Sequence, residues 1–328
     1  VGEVILEAIV LILQIFIFPG FLFLLLMSFF IEWYKRKLFA RMQNRVGPKY
    51  IGYKGILQPI ADFFKLLSKE VIELERADNH LIDLSLLMAS SIFIYVCFFL
   101  PFVGRPLISF EGDLIAVLLL TSAASFMLFA IGWSMSSPYG MIGGMRLLAQ
   151  VIGFEIPYFI LALVPAYITK SLSIFEIGRR MSSALLSNPA YLIPWSISIP
   201  LFLVATQIEL EEAPFHIPDA EQELVAGYFT ELSGRRLALL DLAKDTQLLF
   251  CSAFMASIFF GAGSPFYQNP LLGFIMTMVE ILIIAFFIVT IKASAARLAI
   301  SNVLDMMWKY LVPSSALILA ISLLLGGV

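Results

Sequence analysis

LLGFIMTMVEILIIAFFIVTI, residues 271–291, runs for twenty-one residues with a single charged side chain, Glu280 at the tenth position. About 20 apolar residues, at 1.5 Å rise each, carry a helix across the hydrocarbon core of a bilayer. Seven further runs of this kind are read at roughly 4–31, 82–102, 114–136, 147–168, 190–208, 246–263 and 311–327. None has the alternation of a membrane β-barrel, which leaves a helical bundle. Composition agrees: 60% of the 328 residues are hydrophobic, 14% are charged, and the mean hydropathy is +0.94. An average soluble domain is roughly 45–50% apolar and about 25% charged. A soluble enzyme, a nucleic-acid binder and a disordered chain are excluded, because a soluble protein must cover its surface with polar groups. The chain reads as an all-α integral membrane protein of about eight transmembrane helices, a single membrane domain over 1–328.

The basic residues segregate. Ten Lys and Arg fall in 32–81, and Arg146, Arg235, Arg236, Lys244, Lys292, Arg297 and Lys309 lie on the same side of the eight-span arrangement, seventeen in all. Only Arg105, Lys170, Arg179 and Arg180 lie on the other. The positive-inside rule makes the rich side cytoplasmic and turns both termini outward. Pro157, Pro165, Pro194 and Pro200 lie in or beside the spans and predict kinks, since buried helices can re-satisfy freed carbonyls. No cleavable signal peptide is expected from the first apolar run.

Two long cytoplasmic loops follow from this reading. Within 32–81, Ile56, Ile60, Phe63, Leu67 and Val71 recur at helical spacing, which predicts an interfacial helix with Asp62, Lys65 and Lys69 facing water. The second loop, 209–245, concentrates Glu209, Glu211, Glu212, Asp219, Glu221, Glu223 and Glu231 before any basic residue. A charge run is ordinarily a solvated loop. Here Glu209 directly follows an apolar run, and Ile208, Phe215, Leu224, Val225 and Phe229 interleave the acids. Carboxylates held against an apolar bundle can hold or pass protons near neutral pH.

Glu155 and Glu280 are stronger signals, because a carboxylate in mid-membrane costs about 2.5–3.5 kcal/mol on insertion scales unless it is paired or faces a wet cavity. Each is either a neutral acid locking two helices or a station on an ion pathway. Gln150 can share the face of Glu155, and Arg146 marks the cytoplasmic end of that helix. Cys97 and Cys251 sit singly in apolar runs, and His80 and His216 have no ligand-spaced neighbours, so no metal site is expected. The absence of a Walker or GxGxxG sequence argues against a nucleotide-driven pump. Gly143–Gly144 reads as a loop or a close-packing pair rather than a phosphate cradle.

Three stretches make the chain recognisable. RMQNRVGPKYIGYKGILQPIADFFKLLSKE (41–70) resembles the first cytoplasmic loop of the H-subunit family of respiratory complex I, a family that also occurs in energy-converting hydrogenases. Arg41, Gln43, Arg45, Asp62, Lys65 and Lys69 fall on its pattern. GWSMSSPYGMIGGMRLLAQVIGFE (132–155) places Arg146, Gln150 and Glu155 in family positions. EAPFHIPDAEQELVAGYFTELSG (212–234), with Glu209 just before it, does so for Glu221, Glu223 and Glu231.

The resemblance implies a subunit with no redox centre and no cofactor of its own. It would anchor a soluble redox module through Arg41, Gln43, Arg45, Asp62, Lys65 and Lys69. It would relay redox energy through Glu209, Glu221, Glu223 and Glu231, with Arg146, Gln150 and Glu155 in the bundle, to antiporter-like subunits that move protons or sodium. Glu280 joins this set on burial alone. Iron–sulfur clusters, and a nickel–iron centre in a hydrogenase, would belong to partner subunits.

Some positions depart from the quinone-reducing pattern. Glu212 and His216 stand where arginine and aspartate are expected, Lys244 and Asp245 where an acid and tyrosine are, and AARLAISNVL (295–304) keeps only Arg297 of an arginine-rich motif. These departures point to the ferredoxin-linked, quinone-independent branch, of hydrogenase or sulfur-reductase type. The alternatives are the quinone-binding H subunit of an NADH-type complex I and, from another class, an autonomous secondary transporter. The latter usually shows repeated halves with broken helices, and no convincing repeat is visible.

Overall fold

The computed structural model describes residues 12–266 and 269–326, and the regular elements among them are all helical. Residues 12–16 are helical, and the long α1 (Phe21–Met42) that comes after them is followed by a short α2 (Gln58–Ser68) and then by α3 (Asn79–Cys97) and α4 (Asp113–Trp133). The long α5 (Pro138–Thr169) leads to α6 (Ile174–Ser187) and α7 (Leu192–Glu209). After an irregular segment come α8 (Arg235–Met255), α9 (Pro270–Ser294), α10 (Ile300–Met306) and α11 (Val312–Gly326). Pro157 and Pro165 lie inside α5 and Pro200 inside α7, and those helices continue through them.

Seven helices among the described residues are long and apolar enough to cross a membrane. The eighth expected span, 246–263, falls in α8 and the π-turn Ala256–Phe260 that prolongs it. That helix is encased by the others: every residue from Asp245 to Phe259 is buried. A helix sheltered from lipid has no need to be apolar on every face, so its first half can carry Asp241, Lys244 and Asp245. Residues 4–11 and 327 of the expected terminal spans lie outside the described residues.

Two boundaries also move. The loop expected from residue 32 begins only after Met42, because α1 continues a further three turns and carries Glu32, Lys35 and Arg36 into the bundle. The interfacial helix exists as α2, but it packs on the protein: the Phe63 and Phe29 rings lie 5.3 Å apart, and Asp62 accepts a hydrogen bond from Arg36 at 2.7 Å. Asp62 therefore does not simply face water, whereas Lys65 and Lys69 are exposed.

The connections collect at two ends. At one, Ile72 N–H donates to Ser233 Oγ (2.8 Å), Arg236 pairs with Asp83 (2.7 Å), and Leu298 N–H donates to Pro214 O (3.1 Å). At the other, Leu114 N–H donates to Leu172 O (3.1 Å) and the Trp195 indole to Phe259 O (3.2 Å). Between them lies an aromatic layer, with Tyr158 stacked on Phe202 (4.8 Å) and Phe202 in turn packed on Phe254 and Phe259. The Gly pair lies inside α5 and is a close-packing pair rather than a loop. A Cβ on Gly144 would meet Gly132 Cα at 3.1 Å, and one on Gly143 would meet Pro218 O at 2.8 Å.

Candidate functional site

At the end where the basic segments meet, a cavity of about 200 Å³ opens between α1, α8, α9 and the segment after α7. Six carboxyl groups line it, from Glu32, Glu211, Glu212, Asp219, Asp241 and Asp245, against four cations, Lys35, Arg36, Lys244 and Lys292, with His216 beside them. Its apolar wall is limited to Leu210, Phe229 and Leu248.

Helical spacing explains how one helix can offer so many charges. Glu32, Lys35 and Arg36 sit at i, i+3 and i+4 and so share a face; Lys35 lies 2.5 Å and Arg36 2.7 Å from Glu32. Asp241, Lys244 and Asp245 repeat the same spacing on α8, and Asp245 and Glu32 line the same cavity from opposite helices.

The segment 210–219 closes the cavity. Glu212 lies 3.4 Å from Lys35 and also pairs with Lys292. Burial opposes its charge, but Lys35 and Lys292 outweigh it and hold the carboxyl down at about 2. Glu211 pairs with Lys244 at 2.7 Å and accepts from Tyr228 at 3.3 Å. Burial dominates there and raises its pKa despite Lys244. His216 Nδ1 lies 3.0 Å from Asp219 and 3.1 Å from Glu211 O. Burial lowers its proton affinity, and the Asp219 contact more than restores it, so the imidazole pKa is raised.

From the cavity a polar row leads sideways. Glu209, buried at the end of α7, accepts from Gln247 (3.3 Å) and from Ser125 (3.4 Å). Ser122, one turn along α4, donates to Leu118 O (3.1 Å) and lies near Glu155 on α5. Glu155 is half-buried at the bundle's flank and keeps one oxygen, Oε1, buried without a hydrogen-bond partner. Gln150 does not serve Glu155: it donates to Ile208 O (2.9 Å) and Phe215 O (3.2 Å), pinning the closing segment to α5.

The remaining expected residues lie elsewhere. Arg146 sits in the third turn of α5 rather than at its end, and it and Arg297 clasp the exposed Glu223. Arg146 holds the Glu223 carboxyl below the usual range. Glu221 is exposed and Glu231 half-buried, away from the cavity lining. Arg41 is exposed in the last turn of α1, and Gln43 and Arg45 are exposed just after it. Glu280 is in the middle of α9, outside this constellation.

Glu32, Lys35, Arg36, Asp241 and Lys292 are site residues that sequence reasoning missed as such. The i, i+3, i+4 charge triplets were the available signal, obscured because the apolar runs end at 31 and resume at 246. The four departures Glu212, His216, Lys244 and Asp245, scattered over thirty-four positions, all line this one cavity.

The profile of the family described as NADH dehydrogenase matches residues 13–323. The chain is 33% identical over 289 residues to the H subunit of the NADH-quinone oxidoreductase of Dehalococcoides mccartyi, covering 86% of this chain and 78% of that one. It is 32% identical to the corresponding H subunit of Syntrophotalea carbinolica, with 85% of each chain covered, and 31% identical to that of Phocaeicola vulgatus, covering 85% of this chain and 81% of that one. Its bundle, its buried row of acids and these matches together make the chain a multi-pass membrane protein of the NADH dehydrogenase family, the family of the H subunit of complex I.

Proposed function

We propose that this chain is the coupling subunit of an ion-translocating oxidoreductase of the ferredoxin-linked, quinone-independent branch, of hydrogenase or sulfur-reductase type. The observation that carries the reading is the convergence of Glu212, His216, Lys244 and Asp245 on one cavity. There Glu212 pairs with Lys35 and Lys292, Lys244 with Glu211 and His216 with Asp219, and Asp245 lines the same wall. A site for a quinone head and its isoprenoid tail would be expected to be larger, about 300–1,000 Å³, and lined mainly by apolar and aromatic groups. A space of about 200 Å³ walled by eleven ionisable side chains suits protons and water better.

In this reading the soluble redox module docks on the basic end through Arg41, Gln43, Arg45, Lys65 and Lys69, with Asp62 fixing α2 to α1. That end faces the cytoplasm of a cell membrane by the positive-inside rule. Redox turnover in the docked module shifts the segment 210–234, which alters the pairing of Glu211 and Glu212 and so the protonation of the cavity. The change passes along Glu209, Ser125, Ser122 and Glu155 to an antiporter-like partner on the flank. Iron–sulfur clusters, and a nickel–iron centre in the hydrogenase type, are supplied by partner subunits. The packed rings of Tyr158, Phe202 and Phe259 in the bundle support a relay along its flank rather than a through-pore.

A second reading, quinone binding in the same cavity, is favoured by the names of the relatives, which are NADH-quinone oxidoreductase subunits. The complex purified from its native membrane separates the two. Ferredoxin-driven reduction of protons or a sulfur compound without added quinone is the expected result. Robust quinone reduction, with quinone-competable crosslinking at the cavity, would overturn the branch assignment.

A further inference from the structure

A half-buried carboxyl lies outside the charged cavity. Glu280 is ten residues into α9, about 15 Å along the helix from its start, and therefore well inside the spanning layer. Opposite it the chain abandons helix. The prolongation of α8 ends at Gly261 (φ +85), and residues 261–266 continue as a non-helical turn in which Gly263 also has positive φ (+89). Non-helical backbone at membrane depth is tolerated where protein buries it or where it lines a polar site.

The turn is pressed against one face of α9. A Cβ on Gly263 would stand 2.8 Å from Gly273 O and 3.1 Å from Thr277 Oγ1. Gly263 thus lies against the face of α9 that carries Thr277 and, three residues on, Glu280. Gly273, Thr277 and Glu280 are spaced four and three apart, so their oxygens follow one stripe facing the turn. The Thr277 hydroxyl donates to Gly273 O at 3.0 Å, which leaves its lone pairs free to accept. Glu280 Oε2 is buried and has no hydrogen-bond partner. A carboxylate held only to lock two helices would have both oxygens satisfied, since an orphaned buried acceptor costs about 1–3 kcal/mol.

We propose that Glu280, Thr277 and the Gly261–Gly263 turn form a monovalent-cation site within the membrane layer of this chain, separate from the charged cavity. One carboxylate, the Thr277 hydroxyl and the Gly273 carbonyl are hard oxygen donors with a single negative charge, which matches a proton or a sodium ion. A broken helix end meeting a carboxylate is also how membrane transporters assemble such sites. The chain would then hold an ion of its own.

The test is carbodiimide labelling of the intact complex in its native membrane, read at the Glu280 peptide by mass spectrometry. The reagent reacts with a protonated carboxyl in an apolar setting. Labelling that falls as sodium is added at fixed pH identifies a sodium site. Labelling that ignores sodium but falls as pH rises between about 5 and 9 identifies a proton site. Either supports the proposal. Labelling flat against both, or absent throughout, overturns it and leaves a structural acid. Glu280→Gln abolishes the label and controls for peptide assignment. Should that variant fail to assemble, Thr277→Val keeps the carboxyl, and the sodium needed for half-protection, or the half-labelling pH of a proton site, should shift about tenfold or one unit. No change in Thr277→Val would remove the hydroxyl from the site and overturn the proposal as stated. The readout needs no electron donor or acceptor, so it stands or falls independently of the assignment above.

Discussion

Lys244 Nζ stands 2.7 Å from Glu211 Oε1, and both side chains are largely withdrawn from solvent in the wall of the charged cavity. Breaking a buried pair by removing one partner typically costs about 3–5 kcal/mol, because the other charge is stranded. Lys244→Met should therefore lower the thermal stability of the complex by about that amount. The double variant Lys244→Met/Glu211→Gln should recover most of the loss. A double variant no more stable than Lys244→Met would show that the two groups are not coupled.

Glu212 has a pKa held at about 2, against an ordinary 4.5. A depressed carboxylate adds stability that is present above its unfolded value and lost as pH falls through its folded one. The difference in thermal stability between the native complex and Glu212→Gln should be full above about pH 5 and shrink on acidification below it. His216 works in the opposite direction, with its pKa raised above 6.5. Its contribution should be full below that value and fade as pH rises through the raised one. His216→Gln should match the native protein best in alkali, and a gap that widens there would reverse the sign.

Glu155 ends the polar row with one unpaired buried oxygen. Glu155→Gln keeps its shape and removes its proton exchange. Ion uptake per electron in proteoliposomes should fall sharply, by about 100-fold if this is an obligatory proton carrier. Electron transfer by the soluble module should change far less. Equal losses in both would place Glu155 in assembly rather than in the relay.

Gly143 carries the segment closing the cavity, because any Cβ there would meet Pro218 O at 2.8 Å. Backbone cannot rotate aside as a side chain can. Gly143→Ala should cost about 1–3 kcal/mol and expose 218–231 to protease, measured by limited proteolysis of the assembled complex. Unchanged cleavage would mean that α5 yields instead.

Much of this molecule is legible in its sequence. The apolar runs predict every membrane-length helix among the described residues, since the bilayer imposes length and composition on each run separately. The motif 212–234 marks the closing segment, and Glu155 and Glu280 stand out because each is an isolated charge where charge is costly. The same hydropathy rule misjudges the ends of α1 and the nature of α8. It assumes that every crossing helix meets lipid, and α8 meets protein from Asp245 to Phe259.

What the sequence determined by itself is the all-helical membrane bundle, the crowding of basic residues at one end and the family. These depend on residues taken one segment at a time. Only the tertiary structure decided that Glu32, Lys35 and Arg36 meet Asp241, Lys244 and Asp245. It also decided that Glu212 rests between Lys35 and Lys292, and that Gly263 is pressed against Gly273 and Thr277 on the face of α9 that carries Glu280. The physical reason is that a charge becomes a site through its neighbours. The spacing along a helix says which side chains share a face, but the helix packed against that face decides whether they are solvated, paired or poised to take up an ion.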